Sequence, residues 1–136
     1  MTSDVFVDTN VFIKIFNAEE SYESTVRSLV RLAEAGWNFR ISCITHFEIL
    51  WGFELYGGDV EKYRDVLSEF EIEVVPLVKD DVELASKYCR SKSKIRDYLI
   101  GATVLNRNGY LLTYNVDDFR WIGRAFTPER FIESVK

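Results

Sequence analysis

The sequence predicts an α/β fold, a three-layer α/β/α sandwich around a mostly parallel sheet of four to five strands. Three observations predict it: short runs that are almost continuously apolar, stretches of helical spacing between them, and the regular alternation of the two along the chain. Runs of that kind are strands buried on both faces, which is the situation of a parallel sheet covered by helices on each side. No internal repeat, low-complexity stretch or linker interrupts the pattern, so residues 1–136 are expected to form one domain.

The elements follow in order. D-V-F-V-D at 4–8 reads as a buried strand ending on an acid, and T-N-V-F-I-K-I-F after it has helical spacing. Ser21 is placed to cap a helix through Ala35 whose apolar residues Tyr22, Val26, Leu29, Val30 and Ala33 share a face, with Gly36 as its stop. A second strand is expected over 39–44, then a helix from Thr45 that ends at Gly57-Gly58, then one capped by Asp59 and running to Phe70. Residues 72–75, closed by Pro76, form the third strand. Helices over 80–93 and 95–107 come next, and residues 110–113 form the fourth strand after Gly109. A helical turn at 117–122 and an edge strand at 124–126 lead to Thr127-Pro128, a cap and first-turn proline for the last helix.

Composition narrows the chemistry. The 136 residues are 47% hydrophobic and 29% charged, with twenty aromatic side chains, which is a folded chain with a large core rather than a disordered or rod-like one. Met-Thr-Ser-Asp carries no basic region, and Asp8, Asn10 and Lys14 interrupt the apolar stretch over 5–16. Neither a signal peptide nor a membrane span is expected, and the reading is a cytoplasmic protein with no membrane partner. Cys43 and Cys89 are far apart and outside any metal-binding spacing, so both are expected as packed thiols. With His46 as the single histidine, read here as a packing residue, a catalytic triad or multi-histidine zinc site has almost nothing to work with. The formal net charge is −5, yet K-Y-C-R-S-K-S-K-I-R at 87–96 holds five basic residues and no acid. That strip is either a solvated helix face or a place for phosphates, and Lys92, Lys94 and Arg96 are the residues of it taken as RNA-binding candidates.

In an open parallel sheet, ligands bind beyond the carboxyl ends of the strands where strand order reverses. Four acids fall at such places: Asp8 after the first strand, Glu48 after the second, Asp97 behind the basic strip and Asp118 past the fourth strand. Each has a local explanation. Thr45 and Glu48 have the spacing of a capping box, Asp97 complements a helix dipole, and Asp118 suits a turn. Asp8, at the end of an apolar strand, is the hardest to explain that way, and local capping does not account for the shared placement. A carboxylate cluster is expected to repel itself unless a divalent cation neutralises it, and oxygen ligands alone indicate Mg²⁺ or Mn²⁺. On this reading, exchanging one acid for its amide leaves the metal-free protein equally or more stable.

V-D-T-N-V-F-I at 7–13, T-x-x-E-x-x-x-G at 45–52, D-x-x-I-G-A at 97–102 and L-L-T-Y-N-V-D-D-F at 111–119 resemble, in order, the four acidic motifs of the PIN-domain nucleases. The ending T-P-E-R-F-I is similar to the tail of VapC-type toxins. The resemblance covers essentially the whole chain. It implies a PIN-like fold and an endoribonuclease that hydrolyses RNA phosphodiester bonds. Asp8, Glu48, Asp97 and Asp118 would be its metal-binding and catalytic carboxylates, and Asn10, Thr113 and Asn115 supporting polar residues. It also implies a homodimer and a small antitoxin partner. Two positions depart from the family pattern: Tyr114 stands where a basic residue is common, which bears on substrate contact, and Gly101 where alanine is common, which bears on helix packing.

The metal would activate water for in-line attack, leaving a 5′-phosphate and a 3′-hydroxyl, with Asp97 or Asp118 helping to accept the proton. Other readings fit less well. A receiver domain wants paired acids after the first strand and a lysine near the last one, and a dehalogenase-type phosphatase wants D-x-D where this chain has Asp8-Thr9-Asn10. The remaining alternative is a non-catalytic PIN-like scaffold that binds RNA or protein.

Overall fold

The computed structural model describes residues 4–135; the reading of the extreme N-terminus at Met1–Ser3 lies outside the described residues. Five strands, β1 (Asp4–Val7), β2 (Asn38–Ser42), β3 (Glu73–Val75), β4 (Tyr110–Leu112) and β5 (Ala125–Phe126), form one sheet in the order β3-β2-β1-β4-β5 with every pairing parallel. Seven helices connect or flank them: α1 (Thr9–Phe16), α2 (Tyr22–Glu34), α3 (Cys43–Tyr56), α4 (Val60–Glu69), α5 (Lys79–Tyr88), α6 (Ile95–Asn106) and α7 (Pro128–Val135). Two 3-10 segments, Lys92–Lys94 and Val116–Ile122, complete the chain.

The period of two along β1 divides the core. Val5 and Val7 face a cluster with Phe12 of α1, Leu29 and Leu32 of α2, Tyr63 of α4 and Phe131 of α7. Phe6, between them, faces the other way, onto Ile100 and Val104 of α6 with Phe119 and Ile122. Leu112 and Leu111 of β4 repeat the division. Each fully buried side chain of this size contributes about 1.5–3 kcal/mol relative to exposure, so both layers hold the sheet. Strand order reverses between β1 and β4: β2 and β3 are added on one side of β1, and β4 and β5 on the other. The carboxyl ends of those two neighbours are the topological switch point.

Several boundaries differ from the expectation. β2 stops at Ser42, whose hydroxyl accepts the backbone N–H of Thr45 at 3.1 Å, so α3 starts two residues before Thr45. Thr45 is therefore no N-cap, and the capping-box explanation of Glu48 falls. Ser21 has φ of 65° and makes no side-chain cap; Ser24 donates its hydroxyl to the Ser21 carbonyl instead. The helix expected over 80–93 ends at Tyr88. Asp59 and Thr127 do cap, through bonds from the N–H groups of Glu61 and Arg130.

Two glycines mark close approaches. A Cβ on Gly109 would lie 2.9 Å from the Phe6 ring, and the left-handed residue closing α6 is Asn108, with φ of 56°. A Cβ on Gly101 would run into the indole of Trp121, which stacks between Tyr98 and Tyr88 with centroids 4.7 and 5.5 Å away. That contact is the packing reason for glycine at this position. No helix among the described residues is long and apolar enough to cross a membrane, and Cys43 and Cys89 are free.

Candidate active site

Asp8 follows β1 and is fully buried. Its backbone N–H continues the ladder onto Leu112 at 3.0 Å, which fixes where the carboxylate lies. One carboxylate oxygen, Oδ1, accepts the N–H of Thr9 at 2.8 Å; the other accepts the Thr113 hydroxyl at 2.9 Å and the Asn10 amide at 3.3 Å. Asn10 also donates to Thr113 Oγ1 at 3.1 Å and accepts the N–H of Tyr114 at 3.0 Å, tying the start of α1 to the end of β4. Asn10 and Thr113 thus orient the Asp8 carboxylate. Asn115 takes part through its backbone N–H, donated to Thr113 Oγ1 at 3.0 Å.

Glu48, one turn into α3, accepts the Thr9 hydroxyl at 2.6 Å. Asp97 lies in the first turn of α6 and is nearly buried. Carboxylates from three separate segments therefore meet, and a single guanidinium stands among them. Arg96 donates from Nη2 to Asp8 at 2.7 Å, from Nε to Glu48 at 2.6 Å and from Nη1 to Asp97 at 2.7 Å. Burial works against the charge of Arg96, but its bonds to Glu48 and Asp8 outweigh that and hold its pKa above the ordinary value. Asp97 is shifted up: burial outweighs the contact with Arg96, and Asp118 and Asp8 add repulsion. Asp118 stands at the margin of this group, bonded to Lys94 at 2.9 Å and partly exposed.

Two residues of the basic strip are engaged by the acids. Arg96 turns inward to three carboxylates and Lys94 turns to Asp118, because these acids are the strongest acceptors within reach. Lys92 has no ion-pair partner among the described residues. With Arg96 in its midst, the carboxylate group offers no cluster of three or more metal-ligating side chains among the described residues. The donor set nonetheless fits a hard divalent ion: three carboxylates each turn an oxygen toward one positive group, and oxygen donors of this kind suit Mg²⁺ or Mn²⁺. Such an ion would take the place of the guanidinium. The part played by Arg96 and that of Thr9 escaped the sequence reading. The signals were an arginine adjoining Asp97 and the Thr9 that follows Asp8.

Tyr114 turns its hydroxyl toward α2 and α7. Its hydroxyl bonds to Thr25 at 2.5 Å and donates to Glu129 at 3.0 Å, and Lys14 lies 4.5 Å from its ring centroid. Burial pushes the phenol up to about 12, so it stays protonated and ties β4 to α2 and α7. His46 bonds through Nδ1 to the hydroxyl of buried Tyr63 at 2.6 Å, in keeping with a packing role. Beside the carboxylates, Thr9 and Glu48 also begin an apolar groove continued by Ile13, Phe16, Trp51 and Phe53. The outer side of α3 leaves Phe47, Trp51, Leu55 and Tyr56 exposed, with Phe47 and Trp51 stacked at 6.2 Å.

Solved structures share this architecture. The chain is similar to one in a toxin–antitoxin complex from Klebsiella pneumoniae, with 26% identity, TM-score 0.69, and coverage of 91% of this chain and 97% of that one. It also resembles a chain of VapBC2 from Rickettsia felis bound to a promoter DNA fragment, at 17% identity and TM-score 0.71, covering 91% and 96%. A third likeness is to FitAcB from Neisseria gonorrhoeae, at 21% identity and TM-score 0.73, covering 91% and 97%. No curated protein sequence matches the chain. The model of the PIN domain matches residues 5–124, nearly the whole of the chain whose carboxylates have just been described, and the chain belongs to the PIN domain family.

Proposed function

We propose that this chain is a divalent-metal-dependent endoribonuclease and the toxin of a toxin–antitoxin pair. The observation that carries the reading is the convergence of Asp8, Glu48 and Asp97, from three segments, on one cation at the switch point of the sheet. Membership of a family of nucleases supports hydrolysis of a phosphodiester, and the toxin–antitoxin likenesses support the biological setting.

Asp8, Glu48 and Asp97 would hold Mg²⁺ or Mn²⁺, with Asp118 at the margin. When bound, the ion supplies an acidified water and offsets charge on the phosphoryl oxygens. The other residues act on geometry. Thr113 and Asn10 hold Asp8, and Thr9 holds Glu48. Asp97, in the first turn of α6, or Asp118 at the margin would help accept the proton of the attacking water. Lys92, exposed two residues before Lys94, would be available to RNA phosphates, and Lys94 would join it once released from Asp118. The exposed aromatic side of α3 and its groove are the surface on which a second copy and an antitoxin segment would be seated, since an apolar patch of this kind marks an interface.

The test is cleavage of a structured RNA pool by partner-free protein in Mg²⁺ or Mn²⁺, with EDTA and Asp8→Asn as controls. Metal-dependent cutting lost in the variant is expected. Absence of both cutting and metal binding would favour the non-catalytic scaffold.

A further inference from the structure

The short segment 94–97 contributes both an acid and the counter-ions of the site. Asp97 belongs to the carboxylate group, Arg96 beside it reaches Asp8, Glu48 and Asp97, and Lys94 reaches Asp118. The guanidinium fills its donor fork: Nε and both terminal nitrogens each meet a different carboxylate within 2.6–2.7 Å, and Nη2 also reaches the Thr9 hydroxyl at 3.1 Å. Its side chain retains 31% of its exposure, so it lies at the mouth of the group with a path to solvent, whereas Asp8 behind it has none. Three carboxylates with one guanidinium sum to two negative charges, and with one dication in its place they sum to one, so the dication neutralises the group more fully than the arginine does.

We propose that Arg96 is the resident counter-ion of the Asp8–Glu48–Asp97 group and competes with the divalent cation for it. In the metal-free protein Arg96 keeps three mutually repelling acids assembled. Metal entry swings the arginine out, so the apparent metal affinity is the intrinsic affinity reduced by the fraction of molecules in which Arg96 has left. For a minor state populated at about 1–10%, that reduction is roughly ten- to a hundredfold. Arginine suits the role better than lysine, because a planar fork bonds several carboxylates at once and a point charge does not.

This inference rests on the carboxylates being a metal site, and the experiment separates the two. Mn²⁺ is titrated calorimetrically into the full chain, its Arg96→Gln variant and its Arg96→Lys variant, and each is melted in EDTA and in excess Mn²⁺. Arg96→Gln is expected to bind Mn²⁺ at least tenfold more tightly than the parent, with Arg96→Lys in between. Arg96→Gln is also expected to melt below the parent in EDTA and to gain more from Mn²⁺. Should Arg96→Gln fold only with Mn²⁺ present, the counter-ion role is supported, and Arg96→Lys carries the affinity comparison. Mn²⁺ binding that is unchanged or weaker in the variants overturns the competition and leaves the metal site standing. No Mn²⁺ binding by any of the three at millimolar concentration overturns both.

Discussion

Asp8→Asn, the natural control for an inactive nuclease, is also a stability experiment on the metal-free protein. The repulsion argument from sequence expects the change to be neutral or stabilising; the structure expects the reverse. The Asp8 carboxylate is fully buried and receives donors on both oxygens, from Thr9 and Arg96 on one and from Thr113 and Asn10 on the other. An asparagine keeps one acceptor oxygen but loses the charge facing Arg96, and its amide faces the Asn10 amide, donor against donor. A hydrogen bond to a charged group contributes about 1.5–3 kcal/mol, and breaking a buried pair by removing one partner costs about 3–5 kcal/mol. Because Glu48 and Asp97 still hold Arg96, and the Thr113 hydroxyl is free to turn and donate elsewhere, a loss of about 2–4 kcal/mol is expected. With a urea slope of roughly 1–3 kcal/mol per molar, the midpoint falls by on the order of 1–2 M. Equilibrium urea unfolding in EDTA, followed by far-UV circular dichroism, measures it. A midpoint equal to or above that of the parent would refute the view that Arg96 neutralises this group.

Other outcomes follow from particular contacts. Gly101→Ala is expected to destabilise the parent, because overpacking against Trp121 costs about 1–3 kcal/mol and exceeds the gain of under 1 kcal/mol from helix propensity. In a Trp121→Leu background the same change becomes neutral or favourable, which a double-mutant cycle by thermal melting would show. Asp81 is buried and accepts bonds from Arg107 and Asn106, each at 2.8 Å, and from the N–H of Val78 at 3.0 Å. Burial pushes its pKa up, but those bonds outweigh it and hold the folded value below the ordinary 3.8. The contribution is therefore complete above 3.8 and lost as the pH falls through the folded value. Asp81→Asn is expected to cost about 3 kcal/mol at neutral pH, with the two proteins converging in melts below the ordinary aspartate range.

Fold class was legible because burial on both faces leaves a plain mark on a sequence: Val5, Phe6 and Val7 are all apolar, and each of the two layers claims its share. That Asp8, Glu48 and Asp97 come together was legible for a related reason: each could be explained locally, but their shared placement past the carboxyl ends of the strands could not. What the sequence did not disclose is where long side chains go. Arg96 looked like one of five basic residues on a strip, and its direction depends on Asp8, 88 positions away, and Glu48, 48 positions away. Ser42 rather than Thr45 caps α3 because β2 ends earlier than its apolar pattern, a boundary that pairing with β3 decides. Tyr114 was legible as a departure from the family pattern, yet its anchoring role depends on Thr25 and Glu129, distant helices brought in only by the finished sheet.

The insertion of β4 beside β1 has a consequence for the order in which the carboxylate group is completed during synthesis. The Thr113 hydroxyl that orients Asp8 is synthesised 105 residues after it. At about 5–20 residues per second, roughly 5–20 s separate the two. Within that interval β2 and then β3 become available to pair on one side of β1, while its other edge has no neighbour until β4 is made. An enzyme assembled outward from its first strand in one direction alone would have its chemistry early. Here β4 closes the group around Asp8, so a product stalled before β4 is an incomplete sheet in which Asp8 lacks the Thr113 hydroxyl.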